Sequence, residues 1–168
     1  MAGDPQGFTE FAASSSGRLF RTAWLMTGDW HLAEDLVQET LGKVYGAWTK
    51  RARPDDPAAY ARTTLMRTFF THRRRRGSAE RPSDSLPERP AGETDVALRV
   101  TLIDALGRLD AKDRAVLVLR YWEDRSVEQT AADLGLSAGA VRSRCFRALD
   151  RLRDVLGTDD PTMSGVAR

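Results

Sequence analysis

The stretch from Gly77 to Asp95, GSAERPSDSLPERPAGETD, sets the tightest limit on what this chain can fold into. Its prolines, small polar residues and acidic excess leave too little apolar surface to offset the entropy of ordering it. The 168-residue chain is therefore divided, and each side must close a small core of its own. Before the break, Leu32, Ala33, Leu36, Val37, Leu41, Val44 and Trp48 recur at spacings of three and four. After it, Leu98, Leu102, Leu106 and Leu109 do the same. The expected fold class is all-α: two small helical domains at 1–76 and 97–156, a flexible acidic linker at 77–96, and a frayed tail at 157–168.

In the first half, Phe8, Phe11, Leu19, Phe20, Ala23, Trp24 and Leu25 mark a helix, with Ser14-Ser15-Ser16-Gly17 read as a dip or cap inside it. Gly28-Asp29 stops that element, and Asp29 caps a longer helix whose polar face carries Glu34, Asp35, Gln38 and Glu39. Pro54 and Pro57 bracket Asp55-Asp56, so Lys50 to Pro57 reads as a loop, and a third helix runs from about Ala58 through Arg75. That helix interleaves Tyr60, Phe69, Phe70 and His72 with Arg62, Arg67 and Arg73 to Arg76, and from Arg62 onward it has no acidic residue. Adjacent helical side chains point about 100° apart, so Phe69 and Phe70 cannot both face a ligand and at least one belongs to the core.

The second half ends in SVEQTAADLGLSAGAVRSRCFRALDRLR, from Ser126 to Arg153. Ser126 and Gln129 have capping-box spacing ahead of Val127, Ala131 and Leu134. Gly135 supplies a left-handed turn, Leu136 plugs the corner, and Ser137 caps a second helix, which together spell a helix-turn-helix. On that helix Val141, Cys145, Ala148, Leu149, Leu152 and Leu156 form an apolar stripe; Ala140, Ser143, Arg144, Arg147 and Arg151 read as the opposite face. Small Ala138, Gly139 and Ala140 at its start let the backbone approach a groove, and Arg142, Ser143 and Arg144 follow at reading distance. Arg147 and Arg151 suit phosphates, although arginines in the last turns also complement the helix dipole.

Net charge is only +2, so the placement of charge matters more than its sum. Two basic segments, at Arg62 to Arg76 and along the last helix, point to two contacts on one polyanion. The lone Cys145 lies on the packed stripe and fits a reducing cytoplasm. With neither a basic, apolar leader nor a long apolar run, the expectation is a cytoplasmic protein without membrane insertion. Paired catalytic carboxylates, a nucleophile with its base, a phosphate loop and a metal cluster are not evident, so neither an enzyme nor a cofactor is expected. His31 with Glu34 and Asp35 is a poor metal set.

The order of parts resembles the extracytoplasmic-function (ECF) group of sigma-70-type bacterial RNA polymerase sigma factors. Two stretches carry the resemblance: HLAEDLVQETLGKVYGAW, similar to the family's polymerase-docking helix, and LDAKDRAVLVLRYWEDRSVEQTAADLGLSAGAVRSRCFRALDRLR, similar to its promoter-binding end domain. The resemblance implies a region-2-like and a region-4-like domain and no required homo-oligomer. It implies docking on the β and β′ subunits of core polymerase through Asp35, Gln38 and Glu39, which share one face at i, i+3 and i+4. It further implies contact with the proximal (−10) promoter element through Tyr60, Arg62, Arg67, Phe70, Arg73, Arg74 and Arg75. Contact with the distal (−35) element falls to Ser137, Ala138, Gly139, Ala140, Arg142, Ser143, Arg144 and Arg147. Aromatics among arginines suit a strand being unstacked, because an extruded base can stack while its phosphates are neutralised. Relatives commonly carry an asparagine where Arg67 stands, which leaves base capture there open. Many relatives are held by an anti-sigma partner. From the residues alone, a solvated acidic face on the second helix and a solvated arginine run remain open, as does a polymerase-independent helix-turn-helix regulator.

Overall fold

The computed structural model describes residues 5–51, 54–77 and 93–158. These form seven α-helices and one π-turn, in two compact units divided between Pro87 and Glu88. The expectations for the interior of the linker and for most of the tail fall outside the described residues.

The first unit is a three-helix bundle of α1 (Pro5–Thr27), α2 (Trp30–Arg51) and α3 (Pro57–Arg76), each packed on the other two. Gly28 adopts a left-handed φ of 67°, and its N–H closes the end of α1 onto the carbonyl of Trp24 at 2.8 Å. Asp29 then caps α2, its carboxylate accepting the N–H of Leu32 at 3.0 Å. Asp56 does the same for α3 from the N–H of Ala59 at 2.9 Å, with Pro57 at the first helical position, where no donor is needed. The buried residues follow the periodicity of the sequence: Leu19, Ala23 and Met26 on α1, Ala33, Leu36, Val37, Val44 and Trp48 on α2, Ala61, Leu65, Met66 and Phe69 on α3. Each large side chain among them contributes about 1.5–3 kcal/mol by leaving water. Two expectations change. α1 runs unbroken through Ser14 to Gly17, with Ser14 bonding back to the carbonyl of Phe11 at 3.0 Å, because the helix is held by packing on α2 and α3. α2 also continues into Arg51, shortening the loop read from Lys50.

The second unit comprises α4 (Glu93–Gly107), α5 (Ala111–Leu117), the π-turn (Val118–Trp122), α6 (Val127–Leu134) and α7 (Ala138–Thr158). α4 starts at Glu93, inside the stretch read as linker. Every residue from Arg114 to Leu119 is buried, so the end of α5 and the start of the π-turn run through the core of the unit and, Arg114 apart, are apolar there. Arg114 is the exception in chemistry: its guanidinium caps the end of α4, donating to the carbonyls of Leu106 at 2.8 Å, Leu109 at 3.1 Å and Gly107 at 3.3 Å. In the π-turn the N–H of Glu123 reaches back to the carbonyl of Val118 at 3.0 Å, and Tyr121 and Trp122 point outward. The helix-turn-helix then forms as its sequence dictates. Ser126 and Gln129 make both bonds of a capping box, and Gly135 turns left-handed at φ 64°. The carboxyl end of α6 and the corner residue Leu136 pack on Val116, Ala131 and Val141.

Candidate protein and nucleic-acid interfaces

On α2, Asp35 and Gln38 are exposed, while Ala33, Leu36 and Val37 of the opposite face are buried. Glu39 shares their face but is already engaged. Its Oε1 accepts from Lys43 Nζ at 2.8 Å, and its Oε2 lies 2.6 Å from His72 Nε2 of α3. Lys43 also donates to Thr68 Oγ1 at 3.0 Å, so the cluster ties α2 to α3. The hydrogen bond from Lys43, and then that from His72, hold the Glu39 carboxyl below the ordinary glutamate range. Glu34, the fourth polar residue of this helix, accepts from Trp30 Nε1 at 3.1 Å.

On α3 the expected DNA-contact residues separate into groups. Tyr60, Arg67 and Arg74, spaced by seven, fall within roughly 40° of one another and form an exposed stripe. Arg73, Arg75 and Arg76 are exposed at the end of the helix. Arg62 lies nearer the packed side and is half-buried. Of the two phenylalanines, Phe69 is core and Phe70 half-buried, with their rings edge-to-face at 5.1 Å between centroids. His72, interleaved with this set in the sequence, is committed to Glu39.

On α7, Ser137 accepts the N–H of Ala140 at 3.1 Å, so the cap holds the first turn. Ser137, Gly139, Arg142, Ser143 and Arg147 are exposed, with Ala138 and Ala140 half-buried. Arg142 donates to Glu128 of α6 at 3.2 Å, an exposed pair worth about 0–1 kcal/mol and easily opened. Arg144 differs from the sequence expectation of an outward residue: its Nη1 lies 2.7 Å from Asp113 and 3.7 Å from Asp110, toward α5. Phe146, which has no place on the apolar stripe of the helix, is 75 % exposed, one turn on from Arg142 and Ser143. That position is the signal in the sequence for an outward side chain. Among the described residues no cluster of His, Cys, Asp and Glu suited to a metal occurs, and no helix is long and apolar enough to cross a membrane.

The surfaces of α2 and α3 fall in one stretch that matches a known family, and that of α7 falls in another. Residues 12–79 match Sigma-70 region 2, and residues 105–154 match Sigma-70, region 4. An RNA polymerase sigma-E factor of Streptomyces coelicolor is 38% identical over 160 residues, spanning 94% of this chain and 90% of that protein. The ECF RNA polymerase sigma factor SigL of Mycobacterium tuberculosis is 37% identical over 149 residues, spanning 80% of each. The chain belongs to the ECF sigma factors. It is thus a transcription initiation factor rather than an enzyme. Among solved structures, the sigma factor RpoE of Bartonella quintana, in complex with the anti-sigma factor NepR, superposes with a TM-score of 0.76 at 28% identity, covering 92% of this chain and 99% of that one. The region 2 match takes in most of α1 and all of α2 and α3, and the region 4 match runs from the end of α4 through most of α7.

Proposed function

We propose that this sigma factor docks on the β and β′ subunits of core RNA polymerase through the outward face of α2, with Asp35 and Gln38 as the contacting groups. Glu39, with both oxygens engaged, holds α3 beside that face. α3 meets the proximal promoter element through Tyr60, Arg67, Arg74 and the arginines at its end, where aromatic stacking and phosphate neutralisation together favour an unstacked strand. The half-buried Phe70 flanks this stripe, whereas Arg62 stands about 140° round the helix from it. α7 enters the major groove at the distal element with Ser137 to Ala140 closest to the bases, Arg142 and Ser143 reading and Arg147 on phosphate. Phe146 adds an apolar surface of the kind that meets a thymine methyl group.

The observation that carries this reading is the pairing of an exposed acidic-amide face on α2 with an exposed, capped recognition helix on α7, in a chain matching both sigma regions. The complex of the Bartonella relative with NepR supports a matching regulatory reading: an anti-sigma protein that covers one or both faces. The direct test is the affinity of labelled full-length chain for core polymerase. Asp35→Ala and Gln38→Ala should each weaken it about tenfold or more, the scale of a docking hot spot, while Glu10→Ala on the exposed side of α1 should not. Equal affinity for all of these variants would count against α2 as the docking face.

A further inference from the structure

The arginines of α7 are not equivalent. Val141 and Ala148 are fully buried and mark the inward direction of the helix. At about 100° per residue, Ser143 and Phe146 lie roughly 140–160° from that direction and Arg147 about 120°, whereas Arg144 lies only about 60° away, on the flank turned toward α5. Its side chain is 26% exposed, against 62% for Arg142. The carboxylates it meets are fixed in their turn. Asp110 is the N-cap of α5, accepting the N–H of Lys112 at 3.1 Å, and Asp113 sits in the first turn, 19% exposed. The core contact around Val116, Ala131 and Val141 is apolar and so non-directional; of the polar contacts beside it, the Tyr121 hydroxyl lies a long 3.7 Å from Cys145 Sγ and the Arg142–Glu128 pair is exposed. A partly desolvated, charge-assisted bond at 2.7 Å supplies the direction that apolar packing lacks.

We infer that Arg144 is a positioning residue for promoter reading: by tying α7 to the first turn of α5 through Asp113 and Asp110, it sets the angle at which Arg142, Ser143, Phe146 and Arg147 meet the distal element, and it does not itself contact DNA. This rests on the reading of α7 proposed above. Two models then predict opposite signs for Asp113→Asn. If Arg144 were a phosphate contact, removing a competing carboxylate would free it and tighten DNA binding. As a positioning residue it loses its anchor, and α7 loses its fixed angle.

The test uses holoenzyme assembled from core polymerase and the full chain. Its ligand is a promoter duplex selected from a randomised library, with the distal element either intact or scrambled, across a range of salt. Arg147→Met should lower the slope of log affinity against log salt by about 0.9, one phosphate contact. Arg144→Met should leave that slope unchanged and narrow the ratio of intact to scrambled affinity on the order of tenfold, the scale of one lost base pair. Asp113→Asn should narrow it equally, the double variant no further than either single, and Arg144→Lys should restore most of the ratio. A slope lowered by Arg144→Met as much as by Arg147→Met, or tighter binding by Asp113→Asn, would overturn the inference alone. A wild-type holoenzyme that did not distinguish the two duplexes would overturn it together with the reading of α7.

Discussion

Replacing Arg114 by methionine isolates the group that closes the second unit. The arginine is 6% exposed and gives three hydrogen bonds to carbonyls at the end of α4. Methionine keeps most of the apolar stem and removes the donors. The carbonyl of Leu106 retains the N–H of Leu109 at 3.1 Å, so the loss falls chiefly on the carbonyls of Leu109 and Gly107. A buried carbonyl deprived of its donor costs about 1–3 kcal/mol. Two of them, that of Gly107 only partly shielded from water, less the desolvation of the guanidinium that no longer has to be met, leave a net destabilisation of about 2 kcal/mol. In a helical unit of this size that is a drop of roughly 8–16 °C in the melting midpoint. Trp122 is the one tryptophan of the second unit, since Trp24, Trp30 and Trp48 lie in the first, so its indole N–H resonance reports that unit alone during urea unfolding of the whole chain. Arg114→Lys, a point donor without the fork, should recover only part of the loss. A shift below about 0.5 kcal/mol for Arg114→Met at unchanged m value would refute the capping argument.

Gly135→Ala places a side chain at φ 64° and should cost about 1–2 kcal/mol in the same urea experiment, although no atom crowds the new Cβ. Glu39 carries a pH signature in the first unit. Because its pKa is lowered on folding, its contribution is complete above the ordinary glutamate value of about 4.3 and fades as pH falls through the depressed one. The stability gap between wild type and Glu39→Gln should therefore shrink as pH falls below about 4.3, and a gap that widened within that range would contradict the assignment. Phe146→Ala should leave thermal stability within about 0.5 kcal/mol of wild type, as expected of a residue so exposed, while weakening transcription from promoters that depend on the distal element.

Where the local chemistry is short-range, the sequence was read correctly. Asp29, Ser126 with Gln129, Gly135 and Ser137 each act within a few residues of themselves, and each makes the bond or turn expected of it. The failures have a common cause in tertiary packing. A serine run with a glycine is a poor helix by propensity, but α1 is held by packing on α2 and α3 and so passes through Ser14 to Gly17. The π-turn at Val118–Trp122 has no periodicity of its own, and Arg114 looks like any helical arginine until the end of α4 is brought beside it. Arg144 was placed on the outer face by its charge, and its actual partner, Asp113, lies 31 positions away in sequence. Phe146 is the converse, an apolar residue that polarity-based reading assigns to no surface. The acidic-amide face at Asp35 and Gln38 was visible as spacing, but spacing alone does not separate a docking face from a solvated one.

The most direct measurement is transcription itself: purified full-length chain added to core polymerase on a library of randomised promoters, with the transcripts sequenced. The account predicts initiation at defined starts preceded by two separate recurring elements, the distal one lost from the selection when Arg142 and Arg147 are both replaced by methionine. Core polymerase that starts at no defined position in the presence of this chain, or at the same positions without it, would contradict the account.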